Sequence, residues 1–423
     1  MSIENTVKEQ TQKAKQGARK LAHLAGSVKN QWLLAMTSAL QANEAAILKA
    51  NAQDLQEARE QGLSSAMLDR LALTPPRLKG MADALMQIAE LPDPVGRELG
   101  QIHLDNGLVI NKVSVPLGVL GFIYEARPNV TTDAIGLAVK SGNGIVLKGG
   151  KEAINSNRAI VNAAVQAFSQ LNIDPIIANA VQFIDSTERA ATYTLLGETE
   201  NIDLIIPRGG KTLIQAVMDH SRIPVLQHLD GICHVFVDES AQLEMAENIV
   251  VNAKCQRPGV CNALETLLVH AHIAPQFLPH IAQTLHAQHV ELRGCKRTQA
   301  LIKEVPVVSA SEADWRTEYL DYILSIRVVD SLEEAIDHIN TYGSHHSDSI
   351  ITENQNSVTT FFQYVDSAVV YHNASTRFTD GGVFGFGAEM GISTGKLHAR
   401  GPVGLNELTT YQYRVLGNGQ IRS

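Results

Sequence analysis

Cysteine is scarce in this 423-residue chain: only Cys233, Cys255, Cys261 and Cys295 occur, with no CxxC spacing among them. That scarcity suits a reducing compartment, argues against a disulfide framework or a zinc cluster, and leaves any important cysteine to act as a free thiol. Clustered positive charge is missing too. The 35 Lys and Arg are dispersed among 44 Asp and Glu, for a formal net charge of -9. A nucleic-acid footprint is therefore absent, and a small-molecule substrate is the better expectation. No run approaches the roughly 18 apolar residues of a membrane span. The opening MSIENTVKEQTQKAKQGARKLAHLAG mixes acids with bases and offers no apolar core of a secretory signal, so a cytoplasmic protein is expected. The dinucleotide fingerprint GxGxxG also fails: Gly385 and Gly387 are followed by Met390 where the third glycine should stand.

What remains is ordinary globular material, 44% hydrophobic and 19% charged, enough for two or three domains with substantial cores. From Thr6 to about Leu91 apolar residues recur at three- and four-residue spacing, which predicts an all-helical opening. GLVINKVSVPLGVLGFIYEA alternates and is rich in Val and Ile, predicting strands broken at Pro116 and Gly118. Short apolar runs such as GIVLKG, VQFID and IDLIIP then alternate with helical stretches such as SNRAIVNAAVQAFSQL. This is the pattern of a parallel sheet wrapped by helices, whose ligands sit at the carboxyl ends of strands. A second α/β portion starts near HVFVD, and the end, LTTYQYRVLG, reads as one exposed strand. Unpaired strands find partners, so that strand is expected to complete a sheet in a neighbouring subunit of a homo-oligomer.

Two loops have the chemistry of phosphate cradles. IVLKGGK ends one strand with Lys148, Gly149, Gly150 and Lys151, and LIIPRGGK ends another with Arg208, Gly209, Gly210 and Lys211. Glycines let backbone amides approach phosphate, the following helix start adds positive potential, and the cations complete the charge match. In QRPGVCNALETLLVH, Pro258 and Gly259 predict an exposed turn that presents Cys261, where Lys254 and Arg257 favour a thiolate. His345 and His346 in YGSHHSD invite a metal. Adjacent strand residues point to opposite faces, however, and no neighbouring Cys or carboxylate completes a set, so no metal is expected.

PLGVLGFIYEARPN, SGNGIVLKGGKEA and QRPGVCNALETLLV stand in the order and approximate spacing of three segments of the aldehyde dehydrogenase superfamily. Those segments hold its oxyanion amide, its cofactor lysine and its nucleophile. The chain resembles that superfamily from about residue 10 to its end. HLDGICH, EYLDYILSIRVV, YGSHHSDSI and GFGAEMGISTGKLHARGPVGLNELTTYQY are similar to its acyl-phosphate-reducing branch. The resemblance implies an α/β fold of two Rossmann-like parallel-sheet domains plus a small β oligomerisation flap. The implied bounds are 1–100 and 118–230 for the cofactor-binding domain, 231–398 for the catalytic domain, and 101–117 and 399–423 for the oligomerisation strands.

Residue by residue, the resemblance implies Cys261 as nucleophile and Asn129 as the amide that stabilises the oxyanion. It gives Lys148 to the adenosine ribose and Glu318 to the nicotinamide ribose. NAD-selective members commonly carry an acid three residues after the cofactor lysine; here Lys151 stands there, which implies NADPH. Arg127 and Arg257, near the two catalytic motifs, are candidates for the substrate's anionic groups. Hydrolytic members have a water-activating Glu where this chain has His228, which favours acyl-phosphate reduction over oxidation to an acid. The implied reaction is NADPH-dependent reduction of L-glutamyl 5-phosphate to L-glutamate 5-semialdehyde plus phosphate through a cysteine thioester, in proline biosynthesis. Glutamate 5-kinase, which makes that acyl phosphate, is a candidate partner. The competing readings are an aldehyde dehydrogenase that oxidises a small aldehyde to acid, and an inactive cofactor-binding scaffold for the kinase.

Overall fold

A computed structural model describes residues 2–422, the side chain of Ala66 excepted, and divides them into two compact units. The first comprises the chain up to Gln227, Gly385–Gly391 and the stretch from Val403 onward. It opens with the expected helices, α1 (Ile3–Leu21), α2 (Gly26–Ala42), α3 (Glu44–Glu60), α4 (Ser65–Leu71) and α5 (Pro75–Glu90). Their starts are written locally. Ser2, Ser64 and Thr74 accept from the backbone N–H three residues on, and a proline opens α5, satisfying amides that a helix leaves without a partner.

β1 (Glu98–His103) and β2 (Val109–Pro116) follow, then β3 (Val119–Tyr124), with the predicted break at Gly118, whose φ is +134°. β4 (Gly144–Gly149), β5 (Val181–Phe183) and β6 (Leu204–Arg208) join β3 in a parallel sheet of order β5-β4-β3-β6. All six residues of β3 and of β4 are buried, as in a parallel sheet covered on both faces. The covering helices include α6 (Pro128–Lys140), α7 (Ile154–Phe168), α8 (Arg189–Gly197) and α9 (Lys211–His220).

The terminal strand corrects the sequence reading. Thr409–Leu416 is not unpaired, because it lies antiparallel to β2 of its own chain from Thr409 opposite Pro116 to Leu416 opposite Val109. β2 is the middle strand of the resulting three-stranded sheet.

The second unit, His228–Phe384 with Ile392–Pro402, is built on a seven-stranded parallel sheet. Its strands are β7 (Cys233–Val237), β8 (Leu264–His270), β9 (Glu291–Gly294), β10 (Val307–Ser309), β11 (Ile323–Val329), β12 (Ser347–Ile351) and β13 (Val369–His372). Their order is β10-β9-β11-β8-β7-β12-β13. α10 (Leu243–Cys255) crosses from β7 to β8, and a core of Val235, Val250, Leu267, Phe277, Leu285 and Ile326 fills the space beneath. The expected α/β class, with two parallel sheets and a small antiparallel one, is what the chain forms. Among the described residues no helix is long and apolar enough to cross a membrane.

Candidate active site

In the first unit the expected residues gather at strand carboxyl ends. After β3, Ala126 adopts φ +30° and Pro128 opens α6, which leaves Asn129 exposed in the first helical turn and Arg127 exposed before it. After β4, Lys148 is 6% exposed and has one acceptor among the described residues, the Gly149 carbonyl at 2.9 Å. Burial lowers its pKa, with Glu152 opposing. An ammonium with three donors and one acceptor is under-satisfied, and hydroxyls of a ribose would complete it. A Cβ on Gly149 would lie 2.3 Å from Nδ2 of the buried Asn157, and one on Gly150, 2.1 Å from Glu152 Oε1, would push that carboxylate aside. Glu152 itself turns inward to accept from the Ala126 N–H at 2.6 Å, whereas Lys151 is exposed.

The loop after β6 is different, because Glu125 fills it. The Gly210 N–H donates to Glu125 Oε2 at 2.8 Å, and the Arg208 guanidinium stands 3.8 Å from Glu389. A Cβ on Gly209 would lie 2.5 Å from the same Glu125 carboxylate, which would have to move. Asp133 on α6 also feels Arg208: burial pushes its carboxyl up to about 6 while Arg208 holds it down. The folded protein therefore keeps a proton that the unfolded chain loses, so this group's contribution to stability falls as pH rises from about 4 to 6. Asp133→Asn is expected to gain on wild type across that window, by up to about 3 kcal/mol at pH 7. Denaturant unfolding at pH 4 and pH 7 checks it, and equal differences at the two values would contradict the assignment.

In the second unit the key residues lie at amino ends of strands. His228 to Gly231 precede β7, Cys261 precedes β8, Glu318 precedes β11 and His346 precedes β12. Parallel strands put these four connections on one edge. α10 stops at Cys255 because Pro258 cannot continue it, and the turn that follows holds Cys261 half-buried.

That turn is clamped from several sides. Gly231 packs so closely that a Cβ would lie 2.0 Å from the Cys261 carbonyl oxygen, and its N–H donates to Glu318 at 2.9 Å. The Cys233 thiol donates to the same Cys261 carbonyl at 3.2 Å. Asn262 Nδ2 donates to Thr379 O at 2.8 Å, and Thr376 Oγ1 to Asn262 O at 2.8 Å. Lys254 is not a free cation for the thiol: its Nζ is 2.8 Å from Glu265 Oε2, with both side chains at most 1% exposed. Burial pushes the Glu265 carboxyl up against the pull of Lys254.

Arg257 is exposed beside the thiol's turn, and Arg377 shares its field. Burial and Arg257 lower the Arg377 pKa while Cys261 opposes, and Arg377 Nε donates to Gln256 at 2.8 Å. His228 Nδ1 donates to the Ile392 carbonyl at 3.2 Å. Burial, with His228 adding to it, lowers His346 to about 3, so that imidazole is neutral.

The chain matches the aldehyde dehydrogenase family over residues 2–322. The gamma-glutamyl phosphate reductase of Clostridium kluyveri is 51% identical over 422 residues, covering 100% of each chain, and that of Moorella thermoacetica is also 51% identical over 422 residues. The chain belongs to the aldehyde dehydrogenase family, among its gamma-glutamyl phosphate reductases. The crystal structure of the Thermotoga maritima gamma-glutamyl phosphate reductase superposes with a TM-score of 0.96 at 46% identity, covering 99% of this chain and 100% of that one.

Within the second unit Cys261 is joined by residues that sequence reasoning passed over. Arg377 lies in TRFTD without a motif around it, and nothing in its sequence neighbourhood ties it to a thiol more than a hundred residues earlier. In sequence His346 has only the residues of YGSHHSD around it. The strand begins at Ser347, and His345, at φ +61°, is a turn residue whose Nδ1 donates to the Asp366 carbonyl. The expectation that no Cys completes a set around His346 is corrected, since sulfur of Cys261 and an imidazole nitrogen of His228 lie within 4.8 Å of one of its own.

Proposed function

We propose that the protein reduces L-glutamyl 5-phosphate to L-glutamate 5-semialdehyde and phosphate, a step of proline biosynthesis, with Cys261 as nucleophile. The observation that carries this reading is Cys261 held half-exposed on a clamped turn beside two guanidiniums in a chain 51% identical to named reductases. The Cys261 thiolate attacks the acyl carbon, forming a C–S bond and expelling phosphate. His228, beside the sulfur, is positioned to take the thiol proton. The Asn129 amide stabilises the developing oxyanion, and Arg257, Arg377 and Arg127 meet the substrate's phosphate and carboxylate.

NADPH, when bound, supplies the hydride that converts the thioester to a thiohemiacetal. Lys148, Gly149, Gly150 and Lys151 would hold its adenosine end and Glu318 its nicotinamide ribose, with Arg208 and Gly209 adding cationic charge and backbone beside the Gly210 N–H that Glu125 occupies. Collapse of the thiohemiacetal breaks the C–S bond and returns Cys261 as thiolate. The carboxylate that activates water in hydrolytic relatives is replaced here by His228, which favours discharge of the thioester by phosphate over hydrolysis. The labile acyl phosphate makes glutamate 5-kinase the partner we expect to deliver it.

The direct assay runs the reaction backwards. Oxidation of the semialdehyde is expected to require phosphate and to yield acyl phosphate, whereas phosphate-independent release of glutamate would overturn the reading. For the cofactor, Glu152 turned inward onto Ala126 leaves Lys151 as the exposed charge at the loop. A charge-assisted contact with the 2′-phosphate is worth roughly 1.5–3 kcal/mol, about ten- to a hundredfold. Lys151→Glu is therefore expected to move the NADPH-to-NADH ratio of kcat/KM by that factor towards NADH. A wild type that prefers NADH, or a variant whose ratio does not move, refutes the role of Lys151.

A further inference from the structure

Beside Cys261 the fold assembles donors that no step of the reaction requires together. Cys261 sulfur, one nitrogen of His228 and one of His346 all lie within 4.8 Å of one another. They come from the connections before β8, β7 and β12, which parallel pairing brings to one edge of the sheet. His346 is 0% exposed and its Nε2 has no hydrogen-bond partner. An imidazole nitrogen buried without a partner forfeits its desolvation cost, and a ligand at that nitrogen would recover it.

Its other nitrogen is tied down. Nδ1 meets Ser347 Oγ at 2.9 Å, and that hydroxyl meets Thr379 Oγ1 at 2.7 Å. His228 is fixed in the same way: a carbonyl only accepts, so the contact with Ile392 places the proton of a neutral His228 on Nδ1 and the lone pair on Nε2. Metal-binding histidines are oriented by this kind of outer contact, in which one ring nitrogen is bonded to the protein and the other meets the ion.

We infer that Cys261, His228 and His346 form a site for a thiophilic divalent cation, Zn²⁺ above all, which ties up the sulfur and reversibly silences the enzyme. One thiolate and two neutral imidazoles are the borderline-soft donors zinc takes, and three protein ligands leave a fourth, open position for water. Zinc lies about 2.3 Å from sulfur and about 2.0–2.1 Å from nitrogen, so the donors must close by on the order of 1 Å. With the turn's backbone clamped, the movement falls to the half-buried Cys261 side chain and the two imidazoles. Binding exchanges one thiol proton for the cation, with no redox step. The silencing rests on Cys261 being the nucleophile, but the binding does not.

The test uses chelator-treated full-length protein titrated with Zn²⁺ and, separately, Co²⁺. One equivalent of Zn²⁺ is expected to abolish turnover and to protect Cys261 from iodoacetamide, as read by peptide mass spectrometry, and chelator should restore both. Co²⁺ should give a thiolate-to-cobalt charge-transfer band in the near ultraviolet that Cys261→Ala removes. His346→Gln, and independently His228→Gln in case the buried substitution fails to fold, should weaken Zn²⁺ at least the roughly 10–100-fold that outer-shell changes cost elsewhere. Equal Zn²⁺ sensitivity in wild type and both variants, or no charge-transfer band in wild type, overturns the site. A Cys261→Ala protein that loses the band but keeps its turnover supports the site and removes Cys261 from the reaction.

Discussion

Replacing Cys261 with serine is expected to cut kcat/KM on the order of 10⁴-fold or more, the scale seen when a covalent nucleophile is removed, while folding and cofactor affinity stay unchanged. A hydroxyl has a much higher pKa than a thiol and is a far weaker nucleophile without a matched base. The other cysteines provide the contrast. Burial raises the Cys255 thiol pKa, and Cys255, the last residue of α10, packs partly against the core. Cys295 bonds Thr298 at 3.3 Å, so Cys255→Ser and Cys295→Ser should change kcat/KM less than twofold. Cys233 is a poor control because its thiol supports the Cys261 carbonyl. A lethal Cys255→Ser beside an active Cys261→Ser would sink the assignment.

Lys254→Met is the second large effect, this time on stability. Glu265 is 1% exposed and its Oε2 has Lys254 Nζ at 2.8 Å, while Oε1 takes only a 3.2 Å contact from the Leu320 N–H. Removing one member of a buried pair leaves an uncompensated charge, at about 3–5 kcal/mol. The defect should depend on pH. Burial already raises the Glu265 pKa, and losing Lys254 raises it further, so the folded variant holds a proton that the unfolded chain releases. Its stability then falls as pH climbs above the ordinary glutamate range, and the loss is small near pH 4 and full at pH 8. Adding Glu265→Gln should recover most of it, since the amide still accepts from Leu320 without carrying charge. A single variant as stable as wild type at pH 8 would show that the pair contributes nothing.

Much of the framework is legible in local pattern. The periodicity of α1–α5, the break at Gly118 and the buried runs of β3, β4 and β6 depend on residues within a turn or a strand of one another. Partners distant in sequence are not legible. LTTYQYRVLG looks unpaired because its partner, β2, lies some three hundred residues earlier. Lys254 looks like a charge offered to a nearby thiol until the fold hands it Glu265 from β8. Gly210 looks like a phosphate donor until Glu125, from the end of β3, takes its N–H. His346 gains its neighbours only when three parallel strands align their amino ends, a consequence of topology that adjacent residues do not encode.

In the proposed reaction Cys261 carries a thioester that phosphate can discharge. Wild-type protein given L-glutamate 5-semialdehyde and NADP⁺ with phosphate withheld, then examined by intact-protein and peptide mass spectrometry, should carry one glutamyl group per chain on the peptide holding Cys261. Addition of phosphate should remove that group and release acyl phosphate. No adduct, an adduct on another residue, or one that disappears as free glutamate without phosphate would contradict the account.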